Sequence, residues 1–338
     1  MWKAFEKHMQ MYPCHEWADE VKFLYQACMG GGHLITDEQN SYQRIWQEMQ
    51  QSTITGFQIE LLSEQLCRIH FGHLSERQVR VLNRVFVYSA NHFSPNAKCL
   101  KQALETLSQK RDQTWQAKTA SYLEKGMPPL SHSYTYRQAY QPCYRVVLRS
   151  VWKYADLLLR LEELLAAQTP FILGIDGRCG SGKSSLADLL HKMYKAPIIA
   201  MDDFFLPLEK RTAARYAQPG GNVDYERFEQ TVKPALLKHE AFAYQVFDCS
   251  IMRFGALKQV PSSLWYIVEG TYSMHPTIVD LYDLKVFLSV SKEEQKARIL
   301  ARNGEAMYEK FATLWIPLEE QYFSGLHIAQ NADFVYHE

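Results

Sequence analysis

Phe171-Ile172-Leu173-Gly174-Ile175-Asp176-Gly177-Arg178-Cys179-Gly180-Ser181-Gly182-Lys183-Ser184 decides how the second half of this chain folds. Phe171–Ile175 is a short apolar run, long enough for a buried strand and too short for a helix. Residues 177–184 then fit the pattern G-x-x-x-x-G-K-[ST] of a phosphate-binding loop. Its glycines let backbone N–H groups turn inward around phosphate oxygens. The segment from about Lys183 to Tyr194 reads as a helix whose positive N-terminal end faces the same point. Gly177, Arg178, Cys179, Gly180, Ser181, Gly182, Lys183, Ser184 and Ser185 are therefore the candidate nucleotide-binding residues. Lys183 is expected to reach the β- and γ-phosphates of ATP, and Ser184 to hold Mg²⁺.

Further apolar runs follow at Pro197–Met201, Phe242–Phe247, Leu264–Val268, Leu284–Val290 and Phe334–Tyr336, most of them separated by helical patterns. This alternation predicts an α/β fold, a doubly wound and mostly parallel sheet covered on both faces. Such sheets bind ligands at the carboxyl ends of their strands. Two acids fall there. Asp202 follows Pro197–Met201 and could accept the proton of an attacking hydroxyl. Glu269 follows Leu264–Val268 and could support the metal. Arg298 and Arg302, four apart on a charged helical stretch, share one face.

Four blocks, GIDGRCGSGKSSLADLL (174–190), MDDFFLP (201–207), GNVDYERF (221–228) and VEGTY (268–272), together resemble the uridine kinase and phosphoribulokinase family of P-loop kinases. The resemblance covers roughly residues 169–338. It implies transfer of the ATP γ-phosphoryl group to a hydroxyl of a small metabolite. It implies Asp202 as the base, Glu269 at the Mg²⁺, Asp224 holding the acceptor's ribose hydroxyls, and Arg298 and Arg302 as lid arginines that neutralise the transferring group. The block that holds the base in uridine kinases departs from the family here. It reads Phe247-Asp248-Cys249-Ser250-Ile251-Met252, so the aspartate is kept while Phe247 and Met252 replace a tyrosine and a histidine. A site that loses hydrogen-bonding partners loses discrimination. The resemblance thus implies a nucleoside kinase-like enzyme without implying uridine as its acceptor. Phe247 and Asp248 stay as candidate acceptor contacts beside Asp224. A different class of reading makes the P-loop domain a non-catalytic nucleotide switch that controls the N-terminal module. Asp202 together with Asp224 argues against it, because a switch needs no acceptor site.

The first half looks different. Trp17, Val21, Leu24, Tyr25 and Cys28 recur at helical spacing, Gly30-Gly31-Gly32-His33 interrupts, and residues 36–51 resume a polar helical pattern. Phe57–Leu62 and Leu66–Phe71 read as two short strands, and 95–110 as a further helix. The expected division is a mainly helical domain of unknown role over 1–128, a linker and connecting helix over 129–168, and the P-loop kinase domain over 169–338. Tyr136, Tyr140 and Tyr144 match one helical face and are expected to pack against the kinase domain, and 146–166 is expected to be one amphipathic helix.

Bulk properties narrow the classes. Lys+Arg and Asp+Glu both number 37, so no basic excess points to nucleic acid, and self-association is permitted. No run of eighteen apolar residues occurs, so no membrane span is expected. The seven cysteines form no C-x-x-C pair, which favours neither a disulfide framework nor a zinc cluster and fits a cytoplasmic protein.

Overall fold

Asp37, Ser75, Asn96, Asp112 and Ser133 each accept the backbone N–H three residues on, so polar caps mark where helices of the N-terminal half begin. A computed structural model describes residues 1–35, 37–50 and 52–337. They divide into two units, Met1–Ala166 and Ala167–Glu338. Thr36 and Gln51, the ends of the expected polar helix, lie outside the described residues.

The first unit contains α1 (Trp2–Met11), α2 (Trp17–Met29), α3 (Glu38–Met49), β1 (Gly56–Leu61), β2 (Leu66–Gly72), α4 (Glu76–His92), α5 (Ala97–Ser108), α6 (Gln113–Glu124), α7 (Tyr134–Tyr140), β3 (Tyr144–Leu148), α8 (Arg149–Trp152) and α9 (Ala155–Ala166). It is mainly helical, with the three strands in an antiparallel sheet ordered β1-β2-β3. β2 is buried throughout, as a central strand should be. Phe5, Val21, Leu24, Leu100, Leu104 and Val146 form one apolar core with it.

Two expectations change here. Residues 146–148 join β3, so the amphipathic helix starts later and is broken at Lys153-Tyr154. The β-branched pair Val146-Val147 pairs with Arg68 and Cys67 instead of continuing a helix. The segment expected to link two domains is also knitted into the first unit. Buried Asp19 accepts hydrogen bonds from the Ser133 backbone N–H (3.1 Å) and hydroxyl (2.6 Å), and lies 2.6 Å from His132 Nδ1. Tyr144 Oη lies 2.7 Å from His132 Nε2. Tyr136 stacks on His132, and Tyr140 packs edge-on against Tyr12. These tyrosines therefore serve the core of their own unit.

The second unit contains β4 (Phe171–Gly177), α10 (Lys183–Tyr194), β5 (Ile198–Ala200), α11 (Ala213–Tyr216), α12 (Tyr225–Thr231), α13 (Lys233–Lys238), β6 (Phe242–Asp248), β7 (Arg253–Val260), β8 (Trp265–Glu269), β9 (Leu284–Ser289), α14 (Lys292–Asn303), α15 (Glu305–Lys310), α16 (Ile316–Gly325) and β10 (Phe334–His337). Five strands form a parallel sheet ordered β10-β9-β4-β8-β5. β4 and β8 are buried at every residue, as strands covered on both faces must be. Phe242–Phe247 is not in this sheet. It pairs antiparallel with β7 as a separate hairpin, whose Phe254 and Leu257 remain exposed. An apolar run of six residues identifies a strand without identifying its neighbour, and the polar partner 253–260 gave little signal of its own.

Register sets the functional end. Ile175 lies beside Glu269, and Glu269 beside Ala200. The carboxyl ends of β4, β8 and β5 thus lie within two residues of one level, and Gly177, Asp202 and Glu269 stand at the same end of the sheet. No described helix is long and apolar enough to cross a membrane.

Candidate active site

The loop 177–184 turns where the backbone demands glycine. Gly177 has φ +147°, and a Cβ there would lie 2.0 Å from the Leu288 carbonyl oxygen. Gly182 has φ +93° and immediately precedes α10. Lys183, nearly buried, donates from Nζ to the Arg178 carbonyl at 2.9 Å, which draws its ammonium across the mouth of the loop. The Ser181 hydroxyl is buried with no hydrogen-bond partner in the described structure. A buried orphan donor inside a phosphate loop fits an anion as the missing partner.

Glu269 receives the Ser184 hydroxyl at 3.2 and 3.3 Å on its two oxygens. Burial raises its pKa, Lys183 opposes this, and the Asp202 carboxylate adds to the rise. Two hard oxygen donors side by side, one a carboxylate that needs positive charge, fit a divalent cation. Ser185, the next helical residue, is exposed.

Asp202 and Asp203 follow β5 and part company. Asp203 accepts the Tyr244 hydroxyl at 2.7 Å and the Lys258 ammonium at 3.2 Å, so it is tied to the hairpin. Asp202 makes no hydrogen bond or ion pair among the described residues, and its side chain is exposed. Protein nonetheless surrounds it on enough sides to raise its pKa. Lys183 pulls the other way, Asp203 adds to the rise, and Arg302 opposes it. An exposed carboxylate packed about by protein and within electrostatic reach of two cations has this signature.

From α14, Arg298 donates to the Gly180 carbonyl at 3.0 Å while Glu294 steadies its Nε at 2.8 Å. Arg302 bonds Asn303 at 2.8 Å and reaches Asp202 through its charge. The structure therefore brings the phosphate loop, Asp202, Glu269 and the two arginines together.

No family model matches the chain. The uridine kinase of Saccharomyces cerevisiae is 28% identical over 153 residues, which are 40% of this chain and 29% of that protein. The uridine kinase of Bacillus pumilus is 22% identical over 173 residues, 45% of this chain and 80% of that one. A solved structure of a possible uridine kinase from Bacillus stearothermophilus covers 54% of this chain and 99% of its own, at 17% identity and a TM-score of 0.40. The chain is similar to uridine kinases over about half its length. The match spans less than a third of the yeast relative.

The three candidate acceptor contacts, Asp224, Phe247 and Asp248, are engaged by the protein itself. Asp224 is buried, caps α12 by accepting the Arg227 N–H at 3.2 Å, and receives the Lys210 ammonium at 2.9 and 3.0 Å. Sugar hydroxyls would have to displace Lys210. Phe247 is buried against Phe254. Asp248 accepts the Ser250 N–H at 2.8 Å and hydroxyl at 2.6 Å, closing the hairpin turn, and these bonds hold its pKa low. Phe247 and Asp248 are thus committed to the hairpin.

Several residues at the site escaped the sequence. Asp176 is buried and accepts N–H groups from Gly177 (2.6 Å), Tyr272 (3.2 Å) and Met274 (2.8 Å) and the Tyr322 hydroxyl (2.7 Å). It braces β4 against the loop that follows Glu269. Asp176→Ala strands these donors together, and we expect a loss of about 3 kcal/mol or more, read as a lower urea midpoint at unchanged slope.

Glu319 on α16 is buried and accepts the Cys179 N–H of the phosphate loop at 3.0 Å. The adjacent Glu320 pairs with Arg178. Burial raises the Glu319 pKa and Lys183 opposes it, and the Cys179 thiol is pushed up to about 12 by burial and this carboxylate. A negative charge so close to a phosphate cradle repels phosphate. Glu319→Gln keeps an acceptor for Cys179 and removes the charge, so ATP affinity by calorimetry should rise about tenfold near neutral pH. That advantage should shrink as pH falls and Glu319 in the parent takes up its proton.

Among the described residues no group of three or more His, Cys, Asp or Glu has metal-site geometry. His70 Nε2 lies 2.8 Å from Glu60, and His33 packs edge-on against Tyr25.

Proposed function

We propose that this chain is a Mg²⁺–ATP-dependent kinase that moves the γ-phosphoryl group to a hydroxyl of a small metabolite. Similarity to uridine kinases supports a kinase-type phosphotransferase that uses a nucleotide. The observation that carries the finer reading is Asp202. It is an unengaged carboxylate at the end of β5, level with the phosphate loop and within electrostatic reach of Lys183 and Arg302. A nucleotide switch has no use for an exposed base there.

In this reading Asp202 orients the acceptor hydroxyl and takes its proton. Lys183 and Arg298 bear on the phosphate oxygens, and Arg302 adds charge as the acceptor docks. Ser184 and Glu269 would hold Mg²⁺, which when bound neutralises phosphate charge. Positioning does most of the work. With Phe247 and Asp248 held in the hairpin, no residue singled out as a base contact is free to select uridine. The test is ADP release from Mg²⁺–ATP across nucleosides, sugars and small hydroxy acids. One acceptor should raise turnover well above the acceptor-free rate. ATP binding without stimulation by any acceptor would favour the switch.

A further inference from the structure

We propose that Cys28 and Cys99 are a disulfide-forming pair, a reversible oxidation site in the N-terminal unit. Their Sγ atoms lie 2.8 Å apart, across α2 and α5. Closing to the ~2.05 Å of a disulfide needs less than an ångström of movement.

The approach is fixed by backbone as well as by packing. The Asn96 N–H donates to the Cys28 carbonyl at 2.9 Å. The Asn96 side chain accepts the Cys99 N–H at 2.9 Å as the cap of α5. One residue therefore holds both cysteines in register, and Leu24, Leu100 and Leu104 pack the two helices together around them. A pair so held loses little further freedom on bonding.

Access is one-sided. Cys28 is 2% exposed, while Cys99 is half-buried. An oxidant meets Cys99 first. With hydrogen peroxide, the Cys99 sulfur attacks one peroxide oxygen, the O–O bond breaks, and the other oxygen leaves as water with the thiol proton, giving a sulfenic acid. The Cys28 sulfur then attacks the Cys99 sulfur. The S–S bond forms, the S–O bond breaks, and the departing hydroxide takes the Cys28 proton as water. Two thiols give up two electrons and two protons, and one hydrogen peroxide becomes two waters. Burial first, and the Cys99 thiol next, push the Cys28 pKa far up, so the closing step should quicken as pH rises.

Cys28 is the penultimate residue of α2, one residue before Gly30-Gly31-Gly32-His33. Oxidation would pin the entry to that glycine segment against α5. The bond also closes a loop of 71 residues in sequence.

The experiment treats the reduced full chain with hydrogen peroxide, blocks remaining thiols with N-ethylmaleimide and maps the peptides. The expected result is a Cys28–Cys99 cross-linked peptide, a rise in thermal midpoint of about 5 °C or more, and reversal of both by dithiothreitol. Cys99→Ser should abolish the cross-link, while Cys14→Ser and Cys249→Ser, at exposed cysteines, should leave it intact. If Cys99 is alkylated or driven to the sulfinic acid while Cys28 stays a free thiol, the proposal fails. It fails equally if the two sulfurs retain a soft metal ion through desalting and never cross-link. Should Cys99→Ser not fold, the map of the unsubstituted chain decides alone.

Discussion

Lys183→Ala should lower kcat/KM for ATP by about 10³-fold while leaving the far-ultraviolet circular dichroism unchanged. The side chain serves little structural purpose, since among the described residues its hydrogen bond goes to the Arg178 carbonyl at 2.9 Å. Its charge is central: it reaches Asp202, Glu269 and Glu319 and lowers the pKa of each. Without it, three carboxylates face the cradle with less positive charge to offset them, so ATP binding and turnover should both suffer. Lys183→Arg should rescue poorly, because a planar fork cannot replace a compact ammonium beside the loop. Calorimetric ATP affinity and steady-state turnover check both statements.

Asp202→Asn should lower kcat by about 10²–10⁴-fold with ATP affinity nearly unchanged. The substitution is close to isosteric, and Asp202 holds no structural partner, so folding should be untouched. Asp203→Asn is the contrast. It disturbs the Tyr244 and Lys258 contacts that tie the hairpin down, so it should cost stability first. The pH profile separates the two acids further. In the proposed reaction the Asp202 carboxylate takes the acceptor's proton, and surrounding protein raises its pKa. Activity should therefore fall on the acid side at a higher pH than an ordinary aspartate would give. In Asp202→Asn that acid limb should disappear from the residual rate.

The strand, turn and helix around residues 177–184 were readable from sequence because they are built locally. A strand, a glycine turn and a helix N-terminus are contiguous, so spacing alone places Gly177, Lys183 and Ser184. Asp202 and Glu269 were readable because each ends an apolar run, and parallel register brings such ends level. The acceptor side depends on long-range choices. Whether Asp224 faces a ligand or Lys210, and whether Phe242–Phe247 enters the sheet or a hairpin, is decided by partners far away in sequence. Glu319 lies 140 residues from the N–H it accepts, and in sequence it reads as one of two acids near a helix start. Cys28 and Cys99 were hidden in the same way. In the N-terminal unit the two short strands were visible from their apolar runs. The third, Tyr144–Leu148, was masked by the helical spacing of the leucines that follow it.

The most direct test of the central claim follows the fate of a γ-labelled phosphate. The full chain and Asp202→Asn are incubated side by side with γ-labelled ATP, Mg²⁺ and the acceptor that best stimulates ADP release, and the products are separated. Label is expected in a new phosphate monoester of the acceptor, made by the parent and nearly absent with the variant. Label that stays in ATP, or appears only as inorganic phosphate, while ATP demonstrably binds, would contradict it.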